Sequence, residues 1–303
     1  MVTASDRDGR TIEVRGLTKR FGAVAAVSDL SFTVAPGTVT GFLGPNGAGK
    51  TTTLRMLLGL VEPSAGTATI GGVRYRDLPR PITTVGTALE AASFHPGRTA
   101  RNHLRVMAAS SGVPSSRVDA VLALVGLSDY ATRRVGGYSL GMRQRLGLAG
   151  ALLGDPGVLV LDEPVNGLDP EGIRWIRTFL RDLAAEGRTV LVSSHLLSEV
   201  QQSVDRLVII AGGRLVYEGT LDGLDTGGTV LVDAPDRAAL AAAIRSAGGS
   251  VEPGDGGLSV TGLDATSVGA AALAAGVPLS LLMPRQGGLE QSFLDIVGGG
   301  GSR

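Results

Sequence analysis

The chain has 303 residues, a formal net charge of zero and a sequence pI of about 6.9, so its overall charge gives no attraction toward nucleic acid or an anionic membrane. Hydrophobic residues make up 43% of it, enough to bury cores in about two domains. The absence of cysteine excludes disulfide frameworks, thiolate zinc sites and thiol nucleophiles. Residues 1–10 lack the apolar core of a signal peptide, and no apolar run approaches the ~18 residues that cross a bilayer, so we expect a protein that works outside the lipid.

Two short strands are predicted ahead of the first motif. Alternating side chains indicate a strand over residues 11–14, and a second strand over residues 30–34 ends at the turn Pro36-Gly37. Phe21 lies between these strands. A single aromatic residue beside an N-terminal strand usually belongs to the core, and on this pattern alone we expect Phe21 to be buried.

Residues 44–52 read Gly-Pro-Asn-Gly-Ala-Gly-Lys-Thr-Thr and match the GxxxxGK(S/T) pattern of a phosphate-binding P-loop. An apolar strand over residues 39–43 precedes the loop and an apolar helix over residues 51–60 follows it, which argues against a chance glycine-rich turn. Backbone N–H groups of such a loop bind an anion, while Lys50 reaches the β- and γ-phosphates and the Thr51 hydroxyl holds Mg²⁺. The predicted contacts to a nucleoside triphosphate are Gly44, Pro45, Asn46, Gly47, Ala48, Gly49, Lys50, Thr51 and Thr52.

The middle of the chain changes from strand to helix patterning. Strands are predicted over residues 66–70 and 85–89. Between residues 99 and 126 the apolar side chains recur at helical spacing. We therefore expect a helical subdomain over about residues 95–150.

The start of a further helix lies within that segment, and two interpretations of it are open. Residues 138–145 read Tyr-Ser-Leu-Gly-Met-Arg-Gln-Arg and lead into an apolar stretch. The hydroxyl of Ser139, the small Gly141 and a helix N-terminus together form a cradle for an anion. The alternative is a helix that Ser139 simply caps, and it would be preferred if this stretch stood alone.

Residues 158–164 read Val-Leu-Val-Leu-Asp-Glu-Pro, in which four apolar residues end in two adjacent carboxylates. This run is typical of a Walker B strand, buried on both faces of a parallel sheet and presenting ligands at its carboxyl end. Asp162 would then anchor Mg²⁺, and Glu163 would orient or deprotonate an attacking water. The alternative is an acidic pair that merely begins a loop, and the P-loop upstream makes the catalytic interpretation the stronger one.

In combination, these motifs resemble the nucleotide-binding subunit of an ATP-binding cassette (ABC) transporter of the drug-exporter, or ABC-2, type. The resemblance covers residues from about 12 to 220 and includes the expected motifs in the expected order. Ser139 and Gly141 match the serine and the second glycine of an LSGGQ-type signature. Departures from its commonest form occur at Tyr138, Leu140 and Met142.

The resemblance assigns further site residues. Residues 166–170 look like the D-loop, which places Asp169 at the nucleotide site. His195 follows a predicted apolar strand and looks like the switch histidine that contacts the γ-phosphate. Phe21 falls where the family carries an aromatic side chain that stacks on adenine, and the resemblance therefore favours this role over burial in the core.

One position departs from the family pattern in charge. Glu90 stands where the Q-loop of the family carries glutamine, and a carboxylate can still coordinate Mg²⁺ or its water. The resemblance thus implies ATP and Mg²⁺ as cofactors. It implies catalytic roles for Lys50, Glu163 and His195, and metal contacts from Thr51, Asp162 and Glu90.

A second domain is predicted at the C-terminal end. Residues 225–228 read as a linker, and the elements after it follow the order βαββαβ, a ferredoxin-like arrangement, before a final helix over residues 289–297. We therefore expect an α/β ABC ATPase domain over residues 1–222 and a small α+β accessory domain over residues 228–303.

The resemblance implies an ATPase subunit at the cytoplasmic face of the cell membrane. Its partners would be a membrane permease on a separate chain and a second copy of itself, because the signature of one copy completes the ATP site of the other. The cargo would be a drug, an antibiotic or a lipid, and no nucleic acid is expected. The alternatives are a soluble ABC ATPase outside transport and a cassette that binds ATP without hydrolysing it, which the altered signature and Glu90 keep open.

Overall fold

The computed structural model of the protein describes residues 8–89, 94–224, 229–254, 256–285, 293 and 297–298. The chain divides into two compact units. One comprises Met1–Thr220 with Val297–Arg303, and the other comprises Leu221–Ile296. The domain ranges 1–222 and 228–303 stay a prediction.

A six-stranded sheet forms the centre of the first unit. Its strands are β3 (Val39–Leu43), β5 (Val85–Ala88), β6 (Val158–Asp162), β7 (Thr189–Ser194), β8 (Arg206–Ala211) and β9 (Arg214–Gly219). They lie in the order β5-β6-β7-β3-β8-β9, and only the pair β8 and β9 is antiparallel. Every residue of β3 is buried, as a strand covered on both faces requires.

A smaller antiparallel sheet lies in the same unit. Its strands are β1 (Ile12–Phe21), β2 (Val24–Val34) and β4 (Ala65–Ile70), in the order β2-β1-β4. The predicted strand over residues 11–14 is the first part of β1, which continues to Phe21. The pairing register shifts after Val14 and again after Leu17, and Gly16 between them has a φ of +57°. Such bulges break the strict alternation by which a strand is recognised in sequence.

One apolar core lies between elements of the two sheets and the first helix. The rings of Phe32 and Phe42 stack with centroids 5.3 Å apart, and both side chains are buried. The helix α1 (Lys50–Leu57) buries Leu54 against this core. α1 ends three residues earlier than predicted, because Gly59 adopts a left-handed φ of +67° just beyond its C-terminus.

The remaining described helices of this unit follow in chain order. They are α2 (Pro81–Thr84), α3 (Ala100–Ser110), α4 (Ser116–Leu124), α5 (Leu140–Ala151), α6 (Pro170–Ala185) and α7 (Leu197–Val200). The segment predicted to be a helical subdomain contains α3, α4 and α5. A buried ion cluster joins α4 to the sheet: Asp155 accepts from Arg188, 3.1 Å away, and lies 3.6 Å from Arg117 of α4.

The second unit has the predicted βαββαβ order. After the short helix α8 (Leu221–Leu224), its elements are β10 (Thr229–Asp233), α9 (Arg237–Ser246), β11 (Ser250–Gly254), β12 (Gly257–Thr261), α10 (Ala265–Ala274) and β13 (Leu281–Arg285). The strands form an antiparallel sheet in the order β11-β12-β10-β13, and apolar residues of both longer helices pack on it. The predicted helix over residues 289–297 falls largely outside the described residues.

Where the structure describes the chain, it contains no helix with the length and apolar composition needed to cross a bilayer.

Candidate active site

The P-loop lies between β3 and α1, as predicted, and close packing explains its glycines. A Cβ atom on Gly44 would approach the carbonyl oxygen of Ile210 to well under 3.0 Å, and one on Gly49 would lie 2.5 Å from the carbonyl oxygen of Ala26. Gly49 is also the N-cap of α1, with a left-handed φ of +103°. Larger residues would displace the loop from the strands that support it.

Lys50 is the first residue of α1, and its side chain is only 6% exposed. Its Nζ atom donates hydrogen bonds to the carbonyl oxygens of Gly44 (2.6 Å) and Pro45 (3.3 Å) and lies 3.8 Å from Glu163 Oε1. Burial lowers the pKa of Lys50 below its ordinary value, and the carboxylates of Glu163 and Asp162 act in the opposite direction. A buried ammonium group beside an anion-binding loop fits a phosphate ligand, because phosphate oxygens add negative charge next to it.

Two oxygen ligands suited to Mg²⁺ meet beside the P-loop. Thr51 Oγ1 donates a 2.9 Å hydrogen bond to Asp162 Oδ2, although 111 residues separate them in sequence. The second oxygen of Asp162 accepts a short hydrogen bond from Ser193 Oγ. Hydroxyl and carboxylate oxygens are the hard donors that Mg²⁺ selects, so this pair fits the metal.

Glu163 and His195 are brought together by neighbouring parallel strands. Asp162 of β6 pairs with Ser193 of β7, and each strand is followed at once by a predicted catalytic residue. The His195 Nδ1 atom lies 2.7 Å from Glu163 Oε2. The arrangement follows from parallel pairing, because the carboxyl ends of adjacent strands meet at one edge of the sheet.

The backbone at Glu163 is strained. Its φ is +49°, a left-handed value that side chains other than glycine rarely adopt and that costs roughly 1–2 kcal/mol. Its N–H donates a 3.0 Å hydrogen bond to Ser193 Oγ, which holds this conformation. Ser193 thus contacts both acidic residues, although no motif in the sequence marks it as a site residue. The only available signal was a buried polar residue at the end of an apolar strand.

The signature and D-loop residues stand at the starts of two helices. Ser139 is the N-cap of α5, and its Oγ accepts a 3.2 Å hydrogen bond from the N–H of Met142. Asp169 caps α6, and its Oδ1 accepts a 2.9 Å bond from the N–H of Gly172. Gly141 lies in the first turn of α5. A Cβ atom placed on it would be 3.4 Å from Leu168 Cδ2. The start of α5 therefore lies against the residue that precedes Asp169 in the D-loop.

Comparison with known proteins decides the family. A profile described as "ABC transporter" matches residues 27–166. An uncharacterized ABC transporter ATP-binding protein, YhcH of Bacillus subtilis (strain 168), is 46% identical over 208 residues, which are 68% of each chain. The bacitracin transport ATP-binding protein BcrA of Bacillus licheniformis is 44% identical over 216 residues, covering 70% of this chain and 71% of that protein.

The chain belongs to the ABC transporter ATP-binding proteins. A solved structure of an ATP-binding subunit of an ABC transporter superposes with a TM-score of 0.64 at 30% identity, covering 70% of this chain and 91% of that one. The predicted fold class and ATPase activity are confirmed. A second profile, described only as a domain of unknown function, matches residues 228–290.

Phe21 does not belong to the core of this ABC ATPase. The burial expected from its sequence pattern is wrong, because the side chain is 53% exposed. Phe21 ends β1 and pairs with Val24 across a tight turn, so its ring leaves the sheet. The Nζ atom of Lys19 lies 5.0 Å from the ring centroid. An exposed aromatic face is what stacking on adenine requires.

Glu90 lies outside the described residues. The strand that leads toward it, β5, pairs with β6 and therefore runs beside the strand that carries Asp162. The metal contact assigned to Glu90 stays a prediction.

Proposed function

We propose that the chain is the ATP-hydrolysing subunit of an exporter for a drug, an antibiotic or a lipid. It acts as a homodimer at the cytoplasmic face of the membrane and drives a permease encoded on a separate chain. The observation that carries the proposal is the meeting of Lys50, Asp162, Glu163 and His195 beside the P-loop. The bacitracin transport relatives support the cargo class, because the chain covers about 70% of their length at more than 40% identity.

The chain's own residues divide the work in this proposal. Lys50 and the N–H groups of the loop bind the phosphates of ATP, and Phe21 stacks on its base. Thr51 and Asp162 would hold Mg²⁺, which supplies charge neutralisation of the phosphates when bound. Glu163 orients the attacking water and accepts its proton. His195, which contacts Glu163 through Nδ1, contacts an oxygen of the γ-phosphate.

A second copy completes the site in this proposal. The hydroxyl of Ser139, the small Gly141 and the N-terminus of α5 form an anion cradle for ATP held by the P-loop of the other copy. Each copy then needs the other, which gives a two-fold symmetric dimer with two equivalent ATP sites.

The two alternatives predict different observations. A cassette that only binds ATP needs no ordered acid–base pair, and the 2.7 Å contact between Glu163 and His195 favours hydrolysis instead. A soluble ABC ATPase outside transport would have no cognate membrane protein. The similarity to transport ATP-binding proteins favours a role in transport.

We expect Phe21→Ala to weaken ATP binding about tenfold, since stacking a base on an aromatic ring contributes roughly 1–3 kcal/mol. The substitution should leave thermal stability almost unchanged because the ring is exposed. Titration with a fluorescent ATP analogue measures the effect. Phe21→Tyr should bind normally, and Tyr130→Ala is the control, since Tyr130 is a comparably exposed aromatic elsewhere. Equal affinities of wild type and Phe21→Ala would contradict the adenine contact.

The export function is tested by co-expressing the chain with a candidate permease, for which a neighbouring gene that encodes about six membrane spans is the first choice. We expect the pair to raise the resistance of a sensitive bacterium to a peptide antibiotic such as bacitracin, and the same pair carrying Glu163→Gln to give no protection. A panel that includes a lipophilic dye and a labelled lipid distinguishes the cargo classes. Failure of every cargo, with ATP hydrolysis intact, would favour an ABC ATPase outside export.

A further inference from the structure

The first residue of the signature helix contacts the D-loop of the same chain. Leu140 begins α5 and is 48% exposed. A Cβ atom placed on Gly167 would lie well under 3.0 Å from Leu140 Cδ2 and 3.5 Å from its Cγ. Gly167 also has a left-handed φ of +72°. The leucine side chain therefore occupies a notch that exists only because residue 167 has no side chain.

Further contacts continue along the same face of α5. A Cβ on Gly141 would be 3.4 Å from Leu168 Cδ2, and Gln144 Nε2 donates a 3.4 Å hydrogen bond to the carbonyl oxygen of Asn166. The guanidinium of Arg145 lies 4.2 Å from the ring centroid of Trp175 on α6. Leu140 and Gln144 are four residues apart and so are Gly141 and Arg145, which makes each pair neighbours on the surface of the helix. The start of α5 is thus packed along the D-loop and the helix that follows it.

We propose that Leu140 is a positioning residue. Its contact with Gly167 fixes the N-terminus of the signature helix against the D-loop, so that Ser139 and Asp169 are presented to the second ATP site as one body. This inference rests on the proposed two-copy ATP site. Leu140 is one of the positions at which the signature differs from its commonest form, and this inference gives it a role. Gly167 leaves the space that the leucine side chain occupies.

The geometry predicts that the effect of a substitution at Gly167 depends on the side chain at position 140. A methyl group added at Gly167 would meet the end of the Leu140 side chain, so either Leu140 adopts another rotamer and leaves the D-loop, or the D-loop itself moves. The displaced signature would still allow ATP to bind to the P-loop of its own chain. It would slow only the step that needs both halves of the site, so kcat should fall without a comparable change in KM.

The test measures steady-state ATP hydrolysis by the purified full-length chain with Mg²⁺. We expect Gly167→Ala to lower kcat about tenfold, with KM for ATP changed less than about twofold. Leu140→Ala alone should also lower kcat, because the contact is lost. The double variant Gly167→Ala with Leu140→Ala should recover much of the wild-type kcat, because the added methyl group then occupies the space that the leucine leaves. Leu140→Met should retain activity, because it fills the same notch.

A matched control separates the contact from backbone strain. Gly112 has a similar left-handed φ of +66° and nothing within 4 Å of an added Cβ, so Gly112→Ala carries the strain without the overlap. We expect its kcat to match that of the wild type. The inference is overturned if Gly167→Ala behaves like Gly112→Ala, or if Leu140→Ala does not rescue it. Absence of hydrolysis by the wild type itself would instead reject the proposed function, and coupling of the two substitutions in thermal unfolding would still measure the contact.

Discussion

Glu163→Gln is expected to reduce ATP hydrolysis by at least about 100-fold, because general base catalysis typically contributes that much or more. The amide keeps the size of the side chain and can still contact His195, whose Nδ1 atom lies 2.7 Å from the carboxylate. It cannot accept the proton of the attacking water. Phosphate release at saturating ATP measures the effect.

The same substitution should trap the ATP-bound dimer. ATP binding depends on the P-loop and Lys50, which Glu163→Gln leaves in place. The ATP-bound dimer therefore forms, and it persists because its ATP is not hydrolysed. We expect size-exclusion chromatography with ATP and Mg²⁺ to show a dimer for this variant and a smaller fraction for the wild type. Adding Ser139→Arg should abolish that dimer, because a large cation would fill the anion cradle.

Glu13→Gln is the control for the loss of a carboxylate. Glu13 forms a surface ion pair with Arg15 in β1 and has no part in the site, so its variant should hydrolyse ATP at the wild-type rate. Equal and negligible rates for the wild type and Glu163→Gln would contradict hydrolysis and support a cassette that only binds ATP.

The second large effect is expected for Lys50→Met, which should weaken ATP binding at least about 100-fold. Two charge-assisted hydrogen bonds to phosphate oxygens are lost, each contributing roughly 1.5–3 kcal/mol. Isothermal titration calorimetry with ATP and Mg²⁺ measures the affinity. Arg76→Met is the control, because Arg76 pairs with Glu62 on the surface and should bind ATP normally.

Without nucleotide, the same variant should be nearly as stable as the wild type. Lys50 is buried, and burial lowers its pKa, which means that the charged form is disfavoured in the folded chain. The unfolded chain therefore holds more protons than the folded one as the pH approaches the ordinary lysine value of 10.5, and folding stability gains from rising pH in that range. We expect the wild type to gain stability relative to Lys50→Met as the pH is raised toward 10. Thermal unfolding of both proteins at several pH values tests this expectation. If Lys50→Met were already unfolded at pH 7, its loss of ATP binding would follow from unfolding and the assigned phosphate contact would be contradicted.

Local patterns in the sequence predicted the elements that carry the chemistry. The P-loop and its flanking strand and helix are recognisable because each residue's neighbours along the chain determine its conformation: glycines where the loop turns sharply, and an apolar run where β3 is covered on both faces. The positions of Asp162 and His195 at strand ends also followed, since parallel strands end at one edge. The βαββαβ order of the second unit was predicted for the same local reason.

Contacts between distant segments were not predictable in the same way. Phe21 has the pattern of a core residue, and only the turn after β1 turns its ring toward solvent. Ser193 is one polar residue at the end of an apolar strand, and only the register of β7 against β6 aims it at Asp162 and at the N–H of Glu163.

The sequence by itself determined that the chain has a triphosphate-binding loop, the order of the motifs and the two fold types, because these depend on short-range periodicity and on residue chemistry. The tertiary structure alone decided which residues touch across long separations: Thr51 with Asp162, Glu163 with His195, and Leu140 with Gly167. Those pairs depend on strand register and on the volume left by a missing side chain. Neither quantity is encoded in the spacing of residues along the chain.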